Sequence, residues 1–299
     1  MTTVKYQGAT QYVSYVNNPS LLVGADVIKV SSAWAAGVYG YDGNDSIIGN
    51  TNNDALWGGN GNDSITGATG NDSIYGEAGY DSIQGGAGND YISGGTNNDT
   101  VRGDDGNDTV YGGSGDDLLI GGLGGDTIYG DGGNDLIYAE NDTGYSTSSG
   151  NRLYGGANND TIYGNLNSDY IDGGSENDII YAGGGWNTIL GGTGNDIIYS
   201  SGGNDTIDGG AGTDAFIFST GFKSQITDSS GLDDRIQILD LSIGDIYTMQ
   251  SGNDLWISTA TDLSDGILDD GVAIVDFYVL ADRIEYITDS AGIYLYPLV

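Results

Sequence analysis

The chain has 299 residues, among them 55 glycines, and its 43 acidic side chains against seven basic ones give a formal net charge of −36. Histidine and cysteine are both absent, which removes disulfides, thiolate metal sites, the usual zinc ligand and the commonest general base. The charge argues against nucleic acid as a partner and opposes compaction unless something neutralises it, and no apolar run of about 18 residues offers a transmembrane helix.

In chain order, residues 1–40 hold apolar and aromatic stretches such as Tyr12 to Val16 and Leu21 to Val23, expected to form an N-terminal cap. Met1 to Thr10 lacks a basic start followed by an apolar core, so no cleaved signal peptide is expected. From about Gly40 to Phe216 the chain keeps a nine-residue ruler. Aspartates stand at Asp45, Asp54, Asp63, Asp72, Asp81, Asp90, Asp99, Asp108, Asp117, Asp126 and Asp135, then at Asp160, Asp169, Asp178, Asp196, Asp205 and Asp214. Two positions after each comes an aliphatic residue, from Ile47, Leu56 and Ile65 onward to Ile207, with Phe216 closing the series. A glycine- and asparagine-rich turn precedes each aspartate, as in Gly85-Gly86-Ala87-Gly88-Asn89-Asp90. Self-similarity of this length is the signature of a solenoid. Residues 217–299 lose the ruler but keep strand-like runs, such as Asp254 to Ser258 and Val272 to Asp276, and are expected to form a β-rich C-terminal cap.

Within a repeat, the turn glycines supply positive φ and close backbone approach, and a short strand then points its middle residue inward. In Asp90-Tyr91-Ile92-Ser93, Ile92 faces the core while Tyr91 and Ser93 face out. If two repeats make one coil of 18 residues, every second aspartate stacks in a column. One column, from Asp45 through Asp63 and Asp81 to Asp214, has no gap. The other, from Asp54 through Asp72 to Asp205, contains both ruler substitutions, Asn151 and Asn187, and the insertion within 139–150. One edge is therefore expected to be intact and the other relaxed.

A carboxylate set among turn carbonyls offers hard oxygen ligands of the kind calcium takes at about 2.3–2.6 Å, whereas transition metals would want the absent imidazole or thiolate. Adjacent aspartate pairs number nine in the intact column and four in the first part of the other, so about 13 or more calcium sites are expected, and 13 ions would neutralise 26 of the 36 net charges. Metal binding would then be folding energy.

The repeat Gly-Gly-x-Gly-x-Asp-x-aliphatic-x, complete at residues 85–93 and 191–199, resembles the calcium-binding nonapeptide of repeats-in-toxin (RTX) proteins. The resemblance implies an all-β fold, a right-handed parallel β-roll with calcium in its turns, spanning 41–216 between the two caps. It implies that the ruler aspartates are calcium ligands, with carbonyl donors at turn residues such as Gly86, Gly88, Gly192 and Gly194. It also implies a secreted, extracellular protein exported by type I secretion machinery that reads an uncleaved C-terminal signal, to which Tyr294 to Val299 would contribute.

Only about 40 residues precede the repeats, too few for a catalytic domain, so no enzyme is expected. On one face Tyr138, Tyr163, Tyr181 and Tyr199 form a stripe that either packs under the cap or insertion or serves as a contact for another copy or another surface protein. On the other face Trp57, Tyr75, Tyr111, Tyr129 and Tyr154 recur, interrupted at Ser93 and Asp172. The resulting expectation is a calcium-folded structural subunit of a surface layer, matrix or filament. A monomeric calcium-dependent binding, adhesion or effector protein is the alternative. Ice binding is less favoured, because threonine occupies the relevant loop position only at Thr51, Thr69, Thr96 and Thr193.

Overall fold

The computed structural model describes residues 24–25, 27–30, 37–140, 149–219, 223–227, 230–231 and 234–238, together with the strands Gln11–Val13, Tyr247–Ser251, Asp254–Ser258, Gly271–Ile274, Ile284–Thr288 and Tyr294–Pro297. Among the described residues every regular element is a β-strand, and the fold is a parallel β-solenoid. Residues 14–16 and 21–23 of the N-terminal zone, 141–148 of the insertion, and Leu298 and Val299 lie outside the described residues. The chain divides into two compact units, Met1–Arg152 and Leu153–Val299.

In the first unit, from Gly37 to Tyr138, consecutive strands alternate between two sheets and pair in parallel at a spacing of 18 residues. Ile65, Ile83, Val101, Leu119 and Ile137 are register partners in one sheet, and Leu56, Ile74, Ile92, Val110 and Ile128 in the other. All are fully or almost fully buried, so the core is one aliphatic layer fed from both sheets. The outward neighbours alternate with them, as a period-two strand requires. Parallel pairing begins ahead of the ruler. Val27–Val30 pairs with Ser46–Ile48 and with Gln11–Val13, and it buries Ile28 and Val30.

The second unit repeats the pattern. Ile162, Ile180, Ile198 and Phe216 are partners in one sheet, and Ile171, Ile189 and Ile207 in the other. Parallel pairing also continues beyond Phe216: Ala215–Phe218 pairs with Asp234–Ile238, and Thr206–Gly212 with Lys223–Ile226. The coil has merely lengthened, from 18 residues between Ile198 and Phe216 to 20 between Phe216 and Ile236, so the nine-residue ruler no longer detects it. Antiparallel pairs then close the sheets: Tyr247–Ser251 with Asp254–Ser258, the latter with Gly271–Ile274, and Ile284–Thr288 with Tyr294–Pro297.

Candidate metal-binding turns

Every ruler aspartate is buried, at 1–3% exposure, on the inner side of its turn. One carboxylate oxygen has a fixed duty. Oδ1 of Asp63 accepts the Asp45 backbone N–H at 2.7 Å, that of Asp81 accepts from Asp63, and the ladder continues through Asp99 and Asp117 to Asp135. The other edge of the first unit runs likewise from Asp54 through Asp72, Asp90 and Asp108 to Asp126, and ends on the Asn151 Oδ1. In the second unit Asp160, Asp178, Asp196 and Asp214 form one ladder, and Asp169, Asn187 and Asp205 the other. Both asparagine substitutions thus keep the acceptor the ladder needs and lose only the second carboxylate oxygen.

The ladder extends to a residue outside the ruler. Asp234, fully buried, accepts the Asp214 N–H at 2.6 Å. The signal that could have found it is the sequence Gly231-Leu-Asp-Asp234, followed two residues later by the buried Ile236.

The second oxygen is different. Oδ2 of Asp63, Asp72, Asp81, Asp90, Asp99, Asp108, Asp117, Asp126, Asp178, Asp196 and Asp214 is buried with no hydrogen-bond partner. An ionised oxygen in that state is costly unless a cation answers it. Burial pushes the Asp63, Asp99, Asp108 and Asp214 carboxyls up to about 7 and Asp178 to about 8, against the lowering effect of the ladder hydrogen bond and with help from neighbouring ladder carboxylates. Among the described residues, no three histidine, cysteine, aspartate or glutamate side chains gather to hold a metal. Side chains alone therefore do not complete a coordination sphere, and backbone oxygens are the other donors to consider.

The backbone supplies them. Around Gly173, a Cβ would meet Asp178 Oδ2 at 2.6 Å and the Gly191 carbonyl of the next coil at 2.5 Å, so two hard oxygens converge on one bare glycine. Gly86, Gly88, Gly192 and Gly194 all have positive φ, and the carbonyls of Gly88, Gly192 and Gly194 are aimed along the stack at Gly106, Gly210 and Gly212. A carboxylate oxygen without a donor, set beside backbone oxygens from successive coils, fits a calcium ion.

A second ladder was not anticipated. The residue before each ruler aspartate is usually asparagine, and its Oδ1 accepts the N–H found 18 residues later: Asn71 to Asn53, Asn89 to Asn71 and Asn107 to Asn89 at 2.9 Å, and Asn195 to Asn177 at 2.7 Å. The aspartate ladder accepts from the preceding coil and the asparagine ladder from the following one.

On the outer faces, Tyr163, Tyr181 and Tyr199 stack with centroids 4.6 and 4.5 Å apart, and Tyr39, Trp57 and Tyr75 stack in the first unit. Tyr138 is half-buried at its register position opposite Ile120. The interruptions at Ser93 and Asp172 are spanned from the side. Tyr91 leans between Tyr75 and Tyr111, and Tyr170 packs on Tyr154. Thr51, Thr69, Thr96 and Thr193 are exposed, but Ala87 follows Thr69 and Ala78 precedes Thr96 in register.

The RTX calcium-binding nonapeptide repeat matches residues 39–216, in overlapping stretches to 144 and then over 145–180 and 181–216. The chain belongs to the RTX calcium-binding repeat family. Among solved structures, one described as a hyperactive, Ca2+-dependent, beta-helical antifreeze protein from an Antarctic bacterium is similar at 20% identity, with 93% of this chain and 91% of that chain covered and a TM-score of 0.42. No curated protein matches the chain. The RTX match runs through both units and covers every ruler aspartate, while Asp234 lies beyond it.

Proposed function

We propose that this RTX chain is a secreted, non-enzymatic structural protein that folds on meeting extracellular calcium and then assembles with further copies at the cell surface, as a layer, matrix or filament. The observation that carries this reading is the row of buried ruler carboxylates, most with one oxygen tied to the neighbouring coil and, in most turns, the other lacking a donor. Bound calcium would supply the positive charge that lets these oxygens stay ionised while buried. The residues do the rest: Oδ1 fixes the 18-residue register, the bare glycines let the coils close, and the aliphatic layer is buried once they do. At low calcium inside a cell the chain stays expanded and suited to export through a type I system. Millimolar calcium outside drives it to the folded state, which suits sites of about 10⁻⁴ to 10⁻³ M affinity. The half-exposed tyrosine stripe of the second unit, Tyr163, Tyr181 and Tyr199, is the surface proposed for copy-to-copy contact.

The test is a calcium titration from chelator to about 10 mM, followed by far-ultraviolet circular dichroism and light scattering. Strand signal should rise first and scattering mass second. A strand signal identical in chelator and calcium would overturn the folding role. A compact monomer at every concentration would overturn assembly and leave a monomeric calcium-dependent binding or effector protein.

A further inference from the structure

Not every ruler carboxylate is left open. Asp54 Oδ2 accepts the Asn50 backbone N–H at 2.8 Å, and Asp169 Oδ2 accepts the Asn165 N–H at 2.9 Å. Asp205 Oδ2 accepts the Ser200 hydroxyl, which also meets Ser224 at 3.2 Å. At Asn187 the substituted amide turns donor, reaching the Gly184 carbonyl at 3.1 Å.

At the aspartate turns the backbone four residues earlier separates the two kinds, whereas Asn187 is closed by its own amide although Gly183 has positive φ. Ahead of the open carboxylates that residue has positive φ, whether it is glycine, as at Gly59, Gly113 and Gly192, or not, as at Glu77 and Asp104. Asn50, Asn165 and Ser201 do not take that conformation. In the first two turns the N–H then points at the carboxylate and closes on it. The two asparagine cases share a sequence, Gly49-Asn-Thr-Asn-Asn-Asp54 and Gly164-Asn-Leu-Asn-Ser-Asp169, and a further bond. Asn52 N–H donates to Asn50 Oδ1 at 2.9 Å, and Asn167 N–H to Asn165 Oδ1 at 2.7 Å, so each turn is locked by its own side chain.

We infer that the turns of Asp54, Asp169, Asn187 and Asp205 are metal-independent, with protein donors in the place a cation takes elsewhere, and that Gly-Asn-x-Asn-x-Asp is the closed counterpart of the Gly-Gly-x-Gly-x-Asp cation turn. This rests on the calcium reading proposed above and refines it. In the second unit the consequence is one-sided. The edge of Asp178, Asp196 and Asp214 is open, while that of Asp169, Asn187 and Asp205 is closed throughout. That unit thus has one edge set by calcium and one set by hydrogen bonds alone.

The experiment counts bound calcium ions per full-length chain at saturation by native mass spectrometry. Asp54→Asn and Asp169→Asn should leave the count unchanged, whereas Asp117→Asn should lower it by at least one. The double variant Asn50→Gly, Asn52→Gly should reopen its turn and raise the count by one, which keeps the test informative if an aspartate variant folds poorly. If Asp54→Asn and Asp169→Asn each lose an ion as Asp117→Asn does, the inference is overturned. A wild-type chain that binds no calcium would overturn the calcium reading itself.

Discussion

Single residues decide how much strain and how much charge a turn carries. Glu77 sits exposed at φ +77°, in a position its neighbours on the same edge, Gly59 and Gly95, hold without penalty. A left-handed residue with a side chain costs about 1–2 kcal/mol. Glu77→Gly should therefore raise the stability of the calcium-loaded protein by about 1 kcal/mol, since glycine's extra freedom in the unfolded chain cancels part of the relief. It also removes a carboxylate that raises Asp63. Urea denaturation in saturating calcium measures this, and an unchanged or lowered midpoint would contradict it. Gly173 is the opposite case. One of its Cα hydrogens would be replaced by a methyl carbon facing Asp178 Oδ2 and the Gly191 carbonyl at 2.6 and 2.5 Å. Gly173→Ala should destabilise by roughly 1–3 kcal/mol, the usual cost of overpacking, and shift the calcium midpoint upward.

Whole turns and strands show which parts of the design were readable in the sequence. The apolar core was, because one position in nine carries it from Ile47 to Ile137 and again, after the insertion, from Leu153 to Phe216, and the register of 18 follows. The unequal edges were readable too, through Asn151 and Asn187, but only in outline. Closure of the Asp54 and Asp169 turns depends on the backbone conformation of Asn50 and Asn165, which aspartate spacing does not encode. The extension to Asp234 was hidden by a two-residue lengthening of one coil. The asparagine ladder was hidden because asparagine in a glycine-rich turn reads as ordinary turn chemistry, although it makes an 18-residue contact. This ladder has its own test. Asn71 is exposed and accepts the Asn89 N–H, so Asn71→Ala should cost about 0.5–1.5 kcal/mol in urea denaturation while leaving the bound-ion count intact. A lost ion would make the asparagine a ligand, not a strut.

For the whole molecule, calcium and protons compete for the same buried carboxylates, and this sets the sign of its pH dependence. Asp72, Asp81, Asp117, Asp126 and Asp196 are raised to about 6 by burial, and Asp63, Asp99, Asp108 and Asp214 to about 7. Their ordinary value is 3.8, so without metal the folded state binds protons that the unfolded state has released. That contribution to stability is fully present below about pH 4 and is lost as pH rises through about 6 to 7. In chelator, the strand signal should therefore grow as pH is lowered from about 8 to about 5, as protons relieve the repulsion that calcium would otherwise neutralise. In calcium the slope reverses in one respect. The ion needs the ionised carboxylate, so the calcium midpoint should move to higher concentration over the same fall in pH. Circular dichroism at the two pH values, with chelator and across a calcium series, reads both trends. A metal-free chain that stays unfolded at pH 5, or a calcium midpoint indifferent to pH, would mean that the buried ladder carboxylates are not the groups that couple ion binding to folding.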